Sequence, residues 1–276
     1  MKNSDTAALD READLPHETP QASLPHDPDF MTSLAKGLSV MQAFTRTTPR
    51  MTSSQISAKT GFSRAAVRRC LHTLHQLGFV DVEETNQFSL SQRVLTFSHA
   101  YTYSSRLPRA AQPILEKLSS ILHESCSVAT LVDDEILYVA RAHVSRIMTV
   151  DLAIGSRLPA YCTSMGRVLL ANLPPAQIKK YLERVPLERH TEHTIVSPTK
   201  LRKVLDKVRR KGFAIVDQEL EDGLRSVAVP VRNAADEVVA AMNIGTQAQR
   251  MPSEEIEDRI LPQLRKAARN LSQALS

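Results

Sequence analysis

Met51-Thr-Ser-Ser-Gln-Ile-Ser-Ala-Lys-Thr-Gly-Phe-Ser-Arg-Ala-Ala-Val-Arg-Arg-Cys-Leu-His-Thr-Leu-His-Gln-Leu-Gly78 is the stretch whose reading decides the fold. Thr52 and Gln55 have the spacing of a capping box, and Met51 before the cap can staple onto Ile56 at the fourth helical position. Gly61 then supplies a turn in which a left-handed backbone costs little. Ser63 caps the next helix. At about 100° per residue, Ala66, Val67, Cys70, Leu71, Leu74 and Leu77 fall on one side of that helix. Ala65, Arg68, Arg69, His72 and Gln76 fall on the other. Phe79–Val82 and Phe88–Leu90 follow as a strand pair. Two short helices, a glycine turn and a hairpin predict a winged helix-turn-helix over residues 31–90.

The polar side of the third helix offers small, basic and amide groups. Arginine can bond guanine edges or phosphates, and a small residue permits close approach to a duplex. Ser63 and Arg64 sit at the helix N-terminus, the end such a motif presents to base edges. Candidate contacts to double-stranded DNA are therefore Ser53 and Ser54 on the second helix, and Ser63, Arg64, Ala65, Arg68, Arg69 and His72 on or before the third. A merely solvated helix face is the alternative for Arg68 and Arg69 taken alone. The wing tip, Glu83-Glu84-Thr85-Asn86-Gln87, is acidic, which argues against a strong phosphate grip there.

Outside this stretch, 276 residues allow about two domains. Hydrophobic content of 42% supports ordinary cores, and with 4% aromatic residues and no Trp those cores are aliphatic. A net charge of +5 fits a polyanionic partner without requiring one. Cys70, Cys126 and Cys162 are odd in number and widely spaced, so they point to neither a disulfide framework nor a zinc site. No apolar run approaches the ~20 residues needed to span a membrane. The N-terminus lacks the basic-then-apolar order of a signal peptide. Cytoplasmic location, with no cofactor, is the expectation.

Residues 1–30 are acidic and broken by prolines, a composition that predicts a disordered tail. A first helix is expected at about Ser33–Thr45, with Leu34, Leu38, Met41 and Val40 or Phe44 as its apolar stripe. Residues 91–107 read as a linker helix. Pro108 restarts a helix over about Arg109–Glu124. Period-two patterning then predicts strands at Ser127–Val132, Glu135–Arg141 and Ile147–Leu152. Helices are expected at Thr163–Asn172, Pro175–Arg184 and Pro198–Lys211. Strands follow at Phe213–Asp217, Ser226–Val231 and Val238–Gly245, and a last helix at Ser253–Leu275. Residues 108–276 thus predict one α+β domain.

Gly155-Ser-Arg-Leu-Pro-Ala-Tyr-Cys-Thr-Ser-Met-Gly-Arg-Val-Leu-Leu-Ala171 and Gly212-Phe-Ala-Ile-Val-Asp-Gln-Glu-Leu-Glu-Asp-Gly-Leu-Arg-Ser-Val-Ala-Val-Pro-Val231, followed by Ala240-Ala-Met-Asn-Ile-Gly245, resemble the IclR-type transcriptional regulators. The order and spacing of parts match over about residues 31–276. The Leu-Pro-Ala-Tyr-Cys-Thr-Ser-Met-Gly-Arg wording is most similar to the regulators of the β-ketoadipate pathway that respond to protocatechuate and para-hydroxybenzoate. The resemblance implies a GAF-like effector-binding domain, a small aromatic acid as effector, a homodimer or homotetramer on DNA, and control of aromatic catabolism genes. It places the effector carboxylate on the backbone N–H groups of Ser164 and Met165, with Thr163 as helix cap, and a helix N-terminus is physically suited to an anion. It also implies roles for Asp217 as pocket acid, for Ser226, and for Asn243 and Gly245 where relatives carry serines. Leu158, Tyr161 and Leu224 would wall an aromatic ring. Arg141, Arg157 and Arg225 are alternative carboxylate partners, and sequence does not choose among them.

Other chemistries are weaker. No Gly-x-Ser-x-Gly elbow surrounds Ser164, so a nucleophile is not indicated. His190 and His193, with Glu188 and Glu192, have no third-ligand pattern, and a solvated loop between Pro186 and Pro198 is the simpler reading. Asp217 and Arg225 could instead form a structural ion pair. The competing functional class is a small-molecule enzyme, or a ligand-independent dimerisation platform, joined to a DNA-binding domain.

Overall fold

The computed structural model describes residues 27–144, 152–250, 252 and 255–276. Most of the expected tail, and all of the expected 147–152 strand except Leu152, lie outside the described residues. The chain divides into two compact units, Met1–Tyr101 and Thr102–Ser276.

The first unit contains α1 (Thr32–Gln42), α2 (Ser53–Thr60), α3 (Arg64–Gln76) and an antiparallel hairpin of β1 (Val80–Val82) and β2 (Phe88–Leu90). The capping box forms: Gln55 N donates to Thr52 Oγ1 at 3.4 Å, and Thr52 N donates to Gln55 Oε1 at 2.8 Å. Gly61 takes φ 70°, and Ser63 Oγ accepts from Ala66 N at 3.3 Å. Val40, Phe44, Met51, Ile56, Val67, Leu71, Leu74 and Val80 make a small aliphatic core. Two sequence expectations fail here. Leu34 and Leu38 are exposed, and α1 packs through the rest of the expected stripe, Val40 and Met41, with Ala43 and Phe44 just past its end. Leu77 lies beyond the last turn of α3 and is 52% exposed.

Helix α4 (Leu95–Ser104) follows a short 3-10 turn, and the division between the units falls inside it. It has no charged residue and none of its residues is buried.

The second unit is an α+β sandwich. Its helices are α5 (Arg106–Leu122), α6 (Ser164–Ala171), α7 (Pro175–Arg184), α8 (Pro198–Lys211) and α9 (Leu261–Leu275). Its strands are β3 (Ser125–Val132), β4 (Glu135–Ala142), β5 (Arg157–Pro159), β6 (Ala214–Asp217), β7 (Leu224–Arg232) and β8 (Val238–Gln247). They form one antiparallel sheet in the order β5-β4-β3-β8-β7-β6. Helices α5 and α9 cover one face through a core containing Leu115, Val128, Met242, Ile244 and Leu264. Helices α6, α7 and α8 cover the other through Ile136, Met165, Leu170, Ile178, Leu205 and Ala228. Helix α5 begins at Arg106, ahead of the position expected from Pro108. Pro108 falls in the first turn, where its missing N–H has no intrahelical acceptor to lose. Pro113 is on the exposed side, where water can reach the carbonyl it frees.

Candidate functional site

The first candidate site is the outer face of α3. Ser63, Arg64, Ala65, Arg68, Arg69 and His72 are all exposed, while Val67, Leu71 and Leu74 on the other side are buried. Ser54 is exposed and Ser53 half-buried at the start of α2. Ser63 spends its hydroxyl oxygen on the α3 cap, which orients the N-terminus of the helix outward. At the wing, Glu83 pairs with Arg50 at 2.8 Å, so one of its acids is partly neutralised.

The second candidate site is built around the start of α6. Thr163 Oγ1 accepts from Gly166 N at 3.3 Å and donates to Pro159 O at 3.0 Å. Arg167 N donates to Thr163 O at 2.9 Å. These bonds leave the amides of Ser164 and Met165, the first two helical positions, with no acceptor inside the helix. The Ser164 side chain is 1% exposed, and its Oγ has no hydrogen-bond partner among the described residues. Gly166 lets the helix lie close: a Cβ there would stand 2.1 Å from Ala160 O.

Strand periodicity decides what faces α6. Ala129, Ala228 and Ala241 pack in the α6 core, whereas Val128, Val227 and Met242 pack on the other face. Side chains alternate between faces, and paired residues share one. Ser127 pairs with Arg141 and Asn243, and Asn243 with Ala228, so this row lies on the α6 side. In the next row Ser226 pairs with Gly245 on the same side. Leu224 shares that face, and Leu158 and Tyr161 belong to the α6 core. Asn243 is 9% exposed, and its Oδ1 also has no partner among the described residues. Ser127, 3% exposed, joins the site although sequence reasoning passed over it. Its signal was available: it lies two residues from Ala129 in a period-two run.

Asp217 and Arg225 do not join this cluster. They pair across β6 and β7 on the opposite face, with Nε to Oδ1 at 3.0 Å and Nη2 to Oδ2 at 2.8 Å. The Arg225 hydrogen bonds hold the Asp217 carboxyl below the usual carboxylate range. Arg157 is committed to Glu135 at 2.6 Å and to Asp133 at 3.3 Å. Of the three candidate arginines, Arg141 is the one that shares the face of Ser127 and Asn243.

A polar network closes over Tyr161. Its hydroxyl donates to Glu188 O at 2.9 Å and lies 2.8 Å from His190 Nε2. A carbonyl only accepts, so the phenol oxygen must accept from a protonated Nε2. The two rings stack at 5.9 Å, and burial pushes the Tyr161 phenol well above its ordinary value. His190 is therefore half-buried against Tyr161 and not simply solvated, while His193 and Glu192 are exposed. Beneath the loop, Arg167 makes a buried bidentate pair with Glu219 at 2.6 and 2.6 Å and donates to Tyr161 O at 2.9 Å. Glu219 also accepts from Ile195 N at 3.1 Å. Among the described residues no group of three or more His, Cys, Asp or Glu could hold a metal ion, and no helix is long and apolar enough to cross a membrane.

Comparison with known proteins identifies both units. Residues 33–84 match the IclR helix-turn-helix domain, and residues 99–273 match the bacterial transcriptional regulator IclR C-terminal domain. The chain is 49% identical over 250 residues to the Pca regulon regulatory protein of Pseudomonas putida, covering 90% of this chain and 86% of that one. The crystal structure of an inferred transcriptional regulator from Rhodococcus sp. RHA1 is 46% identical, with a TM-score of 0.78 over 89% of this chain and 98% of that one. A double mutant of the PobR inducer-binding domain from Acinetobacter, in complex with 3-hydroxybenzoic acid, is 32% identical. It has a TM-score of 0.58 over 61% of this chain and 98% of that domain.

Proposed function

The chain belongs to the IclR family of transcriptional regulators, and from that premise we propose that its second unit senses a hydroxylated aromatic carboxylate at the start of α6. The supporting observation is the pair of buried oxygens without partners, Ser164 Oγ and Asn243 Oδ1, on two elements that pack together. An unmet buried polar atom costs roughly 1–3 kcal/mol, so a ligand that satisfies both recovers stability as affinity. The amides of Ser164 and Met165 and the helix dipole favour a carboxylate. Asn243 Oδ1 only accepts, so it calls for a donor, which a ring hydroxyl supplies. Leu158, Tyr161, Met165 and Leu224 are the apolar surface for the ring, and Ser226 and Arg141 add polar contacts from the strands. Asp217 and Arg225 act from the other face as a structural pair. The regulators similar to this chain, named for the Pca regulon and for binding 3-hydroxybenzoic acid, support this ligand class.

Ser53, Ser54, Ser63, Arg64, Ala65, Arg68, Arg69 and His72 are proposed as the DNA contacts. Leu34 and Leu38 on α1 and Leu95 on α4 leave apolar surface exposed, which supports assembly as a homodimer or homotetramer. Sensing is expected without turnover. Thermal shift with protocatechuate, 4-hydroxybenzoate and aliphatic acids tests this reading: a hydroxybenzoate raises the melting temperature and is recovered unchanged. Ser164→Ala weakens that binding by about three- to tenfold. Turnover would favour an enzyme, and silence across the panel a ligand-independent platform.

A further inference from the structure

The most heavily charged element of the described chain is not on the helix-turn-helix. Helix α8 carries seven basic residues and one acid, Asp206, in 14 residues. Leu201, Leu205 and Val208 anchor its inner side. At about 100° per residue, Lys200, Lys203, Lys207 and Arg210 fall within an arc of about 80° on the outer side. All four are exposed, and none has a carboxylate partner among the described residues. Asp206 sits off this stripe and is held by Arg202 at 3.3 Å. At the helix end Lys211, with Arg265 of α9, stands over the Phe213 ring, at 5.3 and 5.4 Å. Glu257 faces this end as well, paired with Lys211 at 3.5 Å.

Helix stability does not account for the stripe. Basic residues in the last turn suit the helix dipole, but Lys200 lies in the first turn, where a positive charge is unfavourable. No large apolar side chain is exposed on α8, so the surface lacks the apolar centre of a protein–protein interface. What remains is a row of point charges. Four cations over ten residues span about 15 Å at ~1.5 Å per residue. One DNA strand presents a phosphate about every 3.4 Å along its axis, so that length faces about four phosphates.

We propose that the outer stripe of α8 is a second, sequence-independent contact for the phosphate backbone of duplex DNA. The inference rests on the DNA-binding reading of the first unit, which brings a duplex to this molecule. Its test keeps the two separate. Binding of the full-length protein to a random-sequence duplex of about four helical turns is followed by fluorescence anisotropy over a salt series. K200Q/K203Q/K207Q/R210Q lowers the slope of log K against log salt by about 3 to 4, roughly one per lost phosphate contact. Exposed positions leave the fold intact, checked by an unchanged melting temperature. Arg68→Ala with Arg69→Ala lowers the slope separately. A quadruple variant with the wild-type slope overturns the proposal, whether or not the α3 variant weakens binding. An altered transcriptional response with that unchanged slope would assign the stripe to an acidic protein instead. A lowered slope in the quadruple variant alone would sustain the α8 contact and contradict the role given to α3.

Discussion

A methyl group on Gly166 would stand 2.1 Å from the Ala160 carbonyl oxygen and 2.4 Å from its Cα, and backbone cannot swing aside as a side-chain tip can. Gly166→Ala should therefore push α6 away from the loop that precedes it. A melting temperature lowered by the equivalent of about 1–3 kcal/mol, with weakened effector binding, is expected; an unchanged protein would show that the close approach is not needed. The Asp217–Arg225 pair makes a different prediction. The carboxyl is held low in the folded protein, so its stabilisation is present above the unfolded pKa and is lost as pH falls through the lower folded value. The melting-temperature gap between wild type and Asp217→Asn should exist at neutral pH and close below about pH 4. A gap independent of pH would mean that Asp217 acts through packing alone. Part of this placement was legible beforehand. Arg225 and Ser226 are neighbours in a strand, so they cannot both face one pocket. The face of Asp217 was not legible, because the β6–β7 register depends on a turn with Gln218 at φ 59° and Gly223 at φ 79°.

At the scale of elements, the helix-turn-helix was readable because its signals are local. Cap, box and glycine turn each involve residues within a few positions, and each forms the bonds its spacing requires. The stripe of α1 was only half readable. Leu34–Leu38 and Val40–Phe44 both repeat at four residues, and only packing against α3 selects the second. The site on α6 lies between these cases. Its N-terminus is local and visible at Thr163-Ser164, whereas Ser127, Asn243 and Arg141 meet only through strand register. The buried Arg167–Glu219 pair spans 52 positions and has no local signal. For α3 the prediction is direct. Replacing either Arg68 or Arg69 by Ala should weaken DNA binding in gel shift, with the effector-induced melting shift retained. Unchanged retardation would remove that arginine from the interface.

At the scale of the whole molecule, a small acid can alter DNA binding only through different affinity for two arrangements of the protein. The proposed effector site at α6 and the proposed DNA-reading helix α3 lie in separate units, with a helix lacking any buried residue carrying the chain between them. In the proposed function an anion completes the buried polar site at Ser164. Calorimetric titration of the full-length protein with 4-hydroxybenzoate and protocatechuate, each beside its primary amide, distinguishes an anion from a neutral ligand at that site. Saturable binding of at least one acid is expected, with affinity for its amide lower by about tenfold or more, since a charge-assisted hydrogen bond is worth about 1.5–3 kcal/mol. Equal affinity for acid and amide, or no binding of either acid, would contradict it.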